Sequence, residues 1–443
     1  FLKECTAAGI KPLAGIEFRC GNEFRYIGLA KNTSGIAQMN RFLTRHNFDG
    51  SPLPLTAPDL SDVLFIYTME NAPASLKENE FIGIRPEELS KLVLNKQSRI
   101  SKMVILQPVT IRTRTEYNLH RILCAVERNI ILSKLTPQDH CRENEAMIPL
   151  KSLLEKYSDY PQIISNTQTV TSQCHFEFDF KTPKNKKYYT HSRQTDIELL
   201  SILAQQGLEW RYGKDHIEAK TRMIKELKII DQLEFSGYFL ITWDIIRYST
   251  SRGFMHIGRG SGANSIIAYC LGITDICPLE LDLYFERFLN LNRKSPPDFD
   301  IDWSWKERDV ILEYIFSRYG ADHVAFCGTN VEFKYRSIFR EVGKVFGLPK
   351  EELDTLAKNP MELHPTNKVV RQVQQYGMLL EKYPNQRSMH SCGILISEEP
   401  ITHYTPLEMP PKGFPIALFD MHTAEDIGLE KFDILSQRGI GHI

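Results

Sequence analysis

Between Pro297 and Trp303 the chain reads Pro-Asp-Phe-Asp-Ile-Asp-Trp. Strict alternation of this kind is the period of a β-strand, whose successive side chains leave on opposite faces. Asp298, Asp300 and Asp302 therefore share one face, and Phe299, Ile301 and Trp303 the other. Neighbouring carboxylates on that face stand roughly 7 Å apart, twice the rise per residue. Like charges at that separation are costly unless water screens them or a cation lies between them. The row is thus either the wet face of an amphipathic edge strand or a seat for Mg²⁺, which takes oxygen ligands, keeps several waters and bridges substrate phosphates. Beyond it, Ser304-Trp305-Lys306-Glu307 has the spelling of a capping box. Val310, Ile311, Tyr314 and Ile315 then share one face of a helix that Gly320 closes. The expectation is an acidic strand feeding a packed helix.

A glycine-rich turn lies upstream, Gly258-Arg259-Gly260-Ser261-Gly262-Ala263-Asn264-Ser265, followed by an apolar helix from Ile266 to Leu271. A turn entering a helix presents bare N–H groups and a positive dipole end, which suits phosphate. Arg259 adds a fork-shaped cation and Ser261 a hydroxyl. The spelling is neither a Walker A loop nor Gly-x-Gly-x-x-Gly, and it equally serves a tight turn with a helix cap. Downstream, Lys431 and Asp433 share one strand face, and Phe432 and Ile434 the other. Lys beside Asp is also the ordinary surface pair; it matters here because Asp433 could complete a metal site. Lys334, Arg336, Arg340 and Lys344 suit a phosphate backbone or a solvated helix face. His390-Ser391-Cys392-Gly393 puts a histidine near a thiol with no partner evident, so no nucleophilic dyad is expected.

The 443 residues have room for two to three domains. With 42% apolar and 25% charged residues they exclude a disordered chain, a fibre and a disulfide-stapled miniprotein. No apolar run is long enough to span a bilayer, and no signal peptide is visible. Net charge is −1, so nucleic-acid contact would need a local basic patch. Nine cysteines without a Cys-x-x-Cys pair point to reduced thiols and a cytoplasmic protein. Residues 1 to about 135 alternate short helix and strand patterns, with strands at Leu13–Phe18 and Lys102–Leu106 and a helix at Leu119–Val126. Residues 136–190 are polar and turn-rich. Helices follow over 194–232, with apolar stripes at Leu199, Leu200, Ile202 and Leu203 and at Met223, Ile224, Leu227 and Ile230. Tyr238–Trp243 reads as a strand or the start of a buried helix. Phe1–Cys5 begins inside an amphipathic pattern and Gly439–Ile443 ends just after a strand-like run, so a fragment of a longer chain is expected.

Taken together, these segments resemble the C-family bacterial replicative polymerase, the DNA polymerase III alpha subunit. The resemblance rests on Gly258–Ala263, Leu271-Gly272-Ile273-Thr274-Asp275, Phe285-Glu286-Arg287-Phe288-Leu289-Asn290, Pro297–Asp302 and Lys431-Phe432-Asp433, in the family's order and spacing. Residues 1–135 resemble more weakly its polymerase-and-histidinol-phosphatase (PHP) domain, best over Ala8–Glu17. The resemblance implies an α/β and α+β multidomain chain. It comprises a partial PHP-like domain with a polar connector (1–190), a polymerase-beta-like nucleotidyltransferase palm (191–324 and 386–443) and an inserted helical thumb (325–385). It implies template-directed DNA synthesis from dNTP on primer–template DNA, with two Mg²⁺ ions held by Asp298, Asp300 and Asp433. Asp302 is not expected to be essential. Gly260 and Ser261 match the turn that holds the incoming triphosphate, and Arg259 and Lys431 are further phosphate contacts. The parent chain would engage a sliding clamp and proofreading or clamp-loader subunits.

The sequence departs from the family in its first domain. The His-rich metal motif would precede Phe1. A later Asp and His ligand align with Pro108 and Thr110, and Glu17 alone cannot hold a metal cluster. No PHP-domain metal and no exonuclease activity are expected. With the fingers also beyond Ile443, the isolated chain is expected to be inactive or nearly so. Two competing readings are a PHP-type metal phosphoesterase, which needs a His-rich cluster that residues 1–190 lack, and a decayed polymerase that only binds DNA or a partner.

Overall fold

The computed structural model describes residues 1–94, 99–291, 299–358 and 367–442. The chain forms two compact units. One comprises Phe1–Phe42, Asp49–Phe178 and Asn330–Arg387, the other Leu43–Phe48, Asp179–Thr329 and Ser388–Ile443. The chain folds on two mixed sheets with many helices, an α/β multidomain architecture. Among the described residues no helix is long and apolar enough to cross a membrane, and all nine cysteines are free thiols.

The first unit carries β1 (Gly15–Cys20), β2 (Glu23–Ala30), β3 (Val63–Thr68), β4 (Glu80–Ile84) and β5 (Met103–Ile105), hydrogen-bonded in that order. β1, β2 and β3 pair antiparallel; β3, β4 and β5 pair parallel. β3 is buried along Val63–Tyr67, as a continuous apolar run in a sheet centre requires. The helix expected around Leu119–Val126 runs Arg114–Glu127. Its Leu119, Ile122 and Ala125 pack with Ile338, Phe339 and Val342 of the Tyr335–Val345 helix. Near Pro108, the Glu145 carboxylate accepts hydrogen bonds from Arg85 at 3.3 Å and Thr110 at 2.9 Å.

The second sheet comprises β6 (His256–Arg259), β7 (Asp300–Ser304), β8 (Val324–Glu332), β9 (Pro384–Ile396), β10 (Leu407–Glu408), β11 (Ile416–Ala417) and β12 (Lys431–Gln437). Their order across the sheet is β10-β11-β8-β9-β12-β7-β6. β7 pairs parallel with β12 and antiparallel with β6, and β12 pairs antiparallel with β9. Phe299, Ile301, Trp303, Phe432 and Ile434 all enter one hydrophobic core. That core also takes the Ser236–Ser251 helix, which settles Tyr238–Trp243 as helix. A helix apolar nearly all round must be buried, and Tyr238 stacks on Phe432 and Phe299 at ring-centroid distances of 4.7 and 5.7 Å. The Trp303 indole N–H donates to Ser249 Oγ at 2.6 Å.

Three local expectations change. The capping box at Ser304 does not form: Ser304 is the last residue of β7, and the helix runs Arg308–Tyr319 from an N-cap at Glu307 that makes no side-chain cap. Pairing of Ser304 with Gln437 holds it in the ladder, and buried Arg308 donates to the Ile434 carbonyl at 2.8 Å. Ile202 is exposed, because the buried stripe of the Arg193–Tyr212 helix is Leu200, Ala204 and Leu208. Two residues on from Leu200 is about 200° around the axis. Ile224 is exposed for the same reason; the Ile217–Gln232 helix buries Ala219, Met223, Glu226 and Ile230.

Candidate active site

Four neighbouring strands line up one residue each. Arg259 of β6 lies opposite Asp300 of β7, Asp300 opposite Asp433 of β12, and Asp433 opposite Gly393 of β9. The spacing between adjacent strands is about 4.8 Å, so two carboxylates from distant parts of the chain stand side by side. The register follows from the other face. A slip of one residue would expose Ile301, Trp303, Phe432 and Ile434 and bury the acids instead. Asp298 lies outside the described residues.

Charge is balanced locally. Arg259 donates to Asp302 Oδ2 from Nε at 2.7 Å and to Asp300 Oδ2 from Nη1 at 3.2 Å. The hydrogen bond to Asp302, then the charges of Asp302, Asp300 and Asp433, hold the guanidinium above its ordinary pKa. The Lys431 ammonium donates to Asp433 Oδ2, and the Cys392 thiol donates to Asp433 Oδ1 at 3.3 Å. Both cations expected to meet phosphate therefore rest on carboxylates. Asp302 is buried, and its Oδ1 has no hydrogen-bond partner among the described residues. The alternation that placed Asp302 on the acidic face already signalled this third carboxylate.

The glycine-rich turn closes against the same carboxylates. Gly260 has φ +74°, and a Cβ there would sit 2.9 Å from Asp300 Oδ2. A Cβ on Gly258 would lie 1.8 Å from the Ile273 carbonyl oxygen, so backbone packs on backbone. Gly260–Asn264 forms a 3₁₀ turn, with Ser261 partly exposed and its carbonyl accepting from Asn264 at 2.9 Å. The helix that follows, Ile266–Cys270, is short, and its first N–H groups are not bare. Ser265 caps Ala268 at 3.2 Å, and Glu226 accepts from Ser265 Oγ at 2.8 Å and from the Ile267 N–H at 3.3 Å. The expectation of an open helix end for phosphate is thereby corrected: a buried carboxylate takes it up.

Glu226 was missed in the sequence because it sits in a helix whose neighbours read as a solvated basic face. It is fully buried, and burial pushes its carboxyl up to about 7 against the pull of Arg222. Arg222 donates to Glu226 at 2.7 Å and to the Asn264 and Leu283 carbonyls at 3.0 and 2.7 Å. The Arg222–Glu226 pair thus ties the end of the turn to the helix layer.

His390 and Cys392, which the sequence left without a partner, meet Asp433 across the strand pair. His390 Nδ1 accepts the Gly393 N–H at 2.8 Å and lies 3.7 Å from Cys392 Sγ. Burial first, then the Asp433 charge, pushes the Cys392 thiol up to about 11. In the first unit, Arg340 pairs with Asp354 at 3.0 Å and Lys344 with Glu341 at 2.8 Å. Lys334 and Arg336 are exposed.

A sheet that sets two carboxylates in register, flanks them with Arg and Lys and backs them with a glycine turn can hold a divalent cation and phosphate oxygens. The bacterial DNA polymerase III alpha NTPase domain model matches residues 198–436, more than half of the chain. The chain belongs to the bacterial DNA polymerase III alpha family. It is 32% identical to an error-prone DNA polymerase of Symbiobacterium thermophilum, over 99% of this chain and 47% of that protein. It is 30% identical to a DNA polymerase III subunit alpha of Halalkalibacterium halodurans, over 76% of this chain and 32% of that one. It is 28% identical to a DNA polymerase III subunit alpha of Neisseria meningitidis, over 99% and 45% respectively. The chain spans less than half the length of each of these relatives.

Proposed function

We infer that this chain carries the catalytic carboxylates of a DNA-directed DNA polymerase, which transfers a nucleotidyl group from dNTP to a primer 3′-hydroxyl on a template, in the cytoplasm. The observation that carries this reading is the register of Asp300 against Asp433, with Arg259 and the Gly260 turn beside them. On this reading residues 191–324 and 386–443 form the palm, 325–385 the thumb, and 1–190 a PHP-like domain with its connector that holds no metal. The clamp and the proofreading or clamp-loader subunits would be partners of the full-length protein.

The donor set fits Mg²⁺: carboxylate oxygens in register, and a buried carboxylate oxygen without a partner at Asp302. Asp298, Asp300 and Asp433 would hold two such ions, which when bound supply Lewis-acid activation of the 3′-hydroxyl and charge neutralisation at the triphosphate. The chain's own residues do the rest. Arg259 and Lys431 screen the carboxylates from one another before substrate arrives. Released from those carboxylates, the same two side chains would be free to meet triphosphate oxygens. Gly260 lets the backbone approach Asp300 more closely than any side chain would allow, and Ser261 presents its hydroxyl at the same turn.

The test is Mg²⁺-dependent primer extension by the full-length protein carrying Asp298→Asn, Asp300→Asn or Asp433→Asn. Each is expected to lose about 10³-fold or more in rate, several kcal/mol of transition-state stabilisation, while primer–template binding persists. Extension at the native rate in all three would refute the assignment.

A further inference from the structure

We propose that His390, Cys392 and Asp433 form a binding site for a soft divalent ion, Zn²⁺ in the first instance, that shares Asp433 with the carboxylate pair. Among the described residues these three are the one group of His, Cys and acidic side chains whose donor atoms could hold an ion, all lying within 4.8 Å of one another. They come from paired strands, with Asp433 of β12 opposite Gly393 of β9. Their backbone is therefore held by the sheet ladder.

The two separations that involve the thiol suit tetrahedral zinc, and the third lies within 4.8 Å. With Zn–S near 2.3 Å and Zn–N and Zn–O near 2.1 Å, a tetrahedral angle puts sulfur about 3.6 Å from either partner atom. The thiol sulfur lies 3.7 Å from His390 Nδ1 and 3.3 Å from Asp433 Oδ1. Ion entry replaces three hydrogen bonds, the Gly393 and Cys392 N–H groups on Nδ1 and the thiol proton on Oδ1. The Cys392 proton leaves to solvent as the S–Zn bond forms. Three protein donors leave the fourth position to water.

Donor chemistry separates this ion from Mg²⁺. Nitrogen and sulfur favour zinc, cobalt or cadmium, whereas Mg²⁺ demands oxygen. The existence of the site does not depend on the polymerase reading; its consequence does. An ion here draws Asp433 Oδ1 toward β9 and so competes with Mg²⁺ held between Asp433 and Asp300.

The first experiment titrates the chelator-stripped protein with Co²⁺ and follows thiolate-to-cobalt charge-transfer absorption, with Zn²⁺ added as competitor. One Co²⁺ per chain with a strong band is expected. The band should vanish in Cys392→Ala and persist in Cys270→Ala, a buried thiol elsewhere. Affinity should fall at least about tenfold in His390→Ala. Circular dichroism of each variant checks that it is folded. Absence of the band in the wild type, or its survival in folded Cys392→Ala, overturns the site. The second experiment adds Zn²⁺ to Mg²⁺-dependent primer extension by the full-length protein, each variant scored against its own zinc-free rate. Inhibition relieved by excess Mg²⁺ and weakened at least about tenfold in Cys392→Ala is expected. A cobalt band without zinc inhibition would keep the site and refute its competition with Mg²⁺, whereas loss of extension in Asp433→Asn tests the polymerase reading independently.

Discussion

Glu226 offers the sharpest quantitative test of how the glycine turn is held. Its carboxylate accepts from Arg222, Ser265 and the Ile267 N–H while fully buried. Glu226→Ala strands these donors, and removing one partner of a buried ion pair costs about 3–5 kcal/mol. Glu226→Gln keeps the shape and one carbonyl acceptor and should cost roughly 1–3 kcal/mol. The pH dependence is more diagnostic. The folded carboxyl titrates at about 7, against an ordinary value of 4.5. Between those values the folded chain binds the extra proton, so stability from this group is full below pH 4.5 and falls as pH rises toward 7. At 1.36 kcal/mol per unit the loss is about 3 kcal/mol. Urea unfolding of wild type and Glu226→Gln at pH 5, 6, 7 and 8 isolates it. The difference between the two should move by about 3 kcal/mol in favour of Gln as pH rises. A difference that does not change with pH would refute the reasoning and show that Arg222 keeps Glu226 charged throughout.

Other outcomes follow from the same geometry. Gly260→Ala forces a side chain into a left-handed backbone and against Asp300. It should cost about 1–2 kcal/mol in unfolding experiments yet reduce primer extension by far more than that loss explains. Asp244 is buried and accepts from Tyr189, Tyr314, Tyr319, Arg247 and Arg318. Asp244→Ala should cost about 3–5 kcal/mol, or roughly 10 °C in the melting of its unit; a shift below 2 °C in a calorimetric scan would show the cluster to be dispensable. Trp303→Phe leaves the Ser249 hydroxyl without its indole donor and should cost about 1–3 kcal/mol by urea unfolding.

Much of the site was legible as local periodicity. The alternation from Phe299 to Trp303 and from Lys431 to Ile434 told which side chains would be buried, and all the apolar ones are. Gly260 was legible as a turn, whereas Gly258 lies in β6, where the Ile273 carbonyl leaves no room for a side chain. The capping-box spelling at Ser304 misled because strand pairing with Gln437 outweighs a local cap. The stripes at Ile202 and Ile224 misled because adjacent apolar residues on a helix cannot all face one core. Glu226 and Cys392 were illegible for a common reason: each acts on a residue about forty positions away, Ser265 and Asp433 respectively.

What the amino-acid order settled is therefore everything whose range is a few residues: which face of a strand is acid, where glycine must turn, which helix is greasy. Such choices depend on backbone sterics and on the partition of side chains from water, which act residue by residue. Which strand lies beside which was decided by the folded sheet. Asp300 meets Asp433 on one face because burying Ile301 and Trp303 together with Phe432 and Ile434 excludes every one-residue slip of β7 against β12. The pairing of β6 with β7 and of β9 with β12 likewise brought Arg259 and Cys392 onto those two carboxylates. That is a long-range consequence of packing, set by burying one face of the sheet rather than by any local spelling.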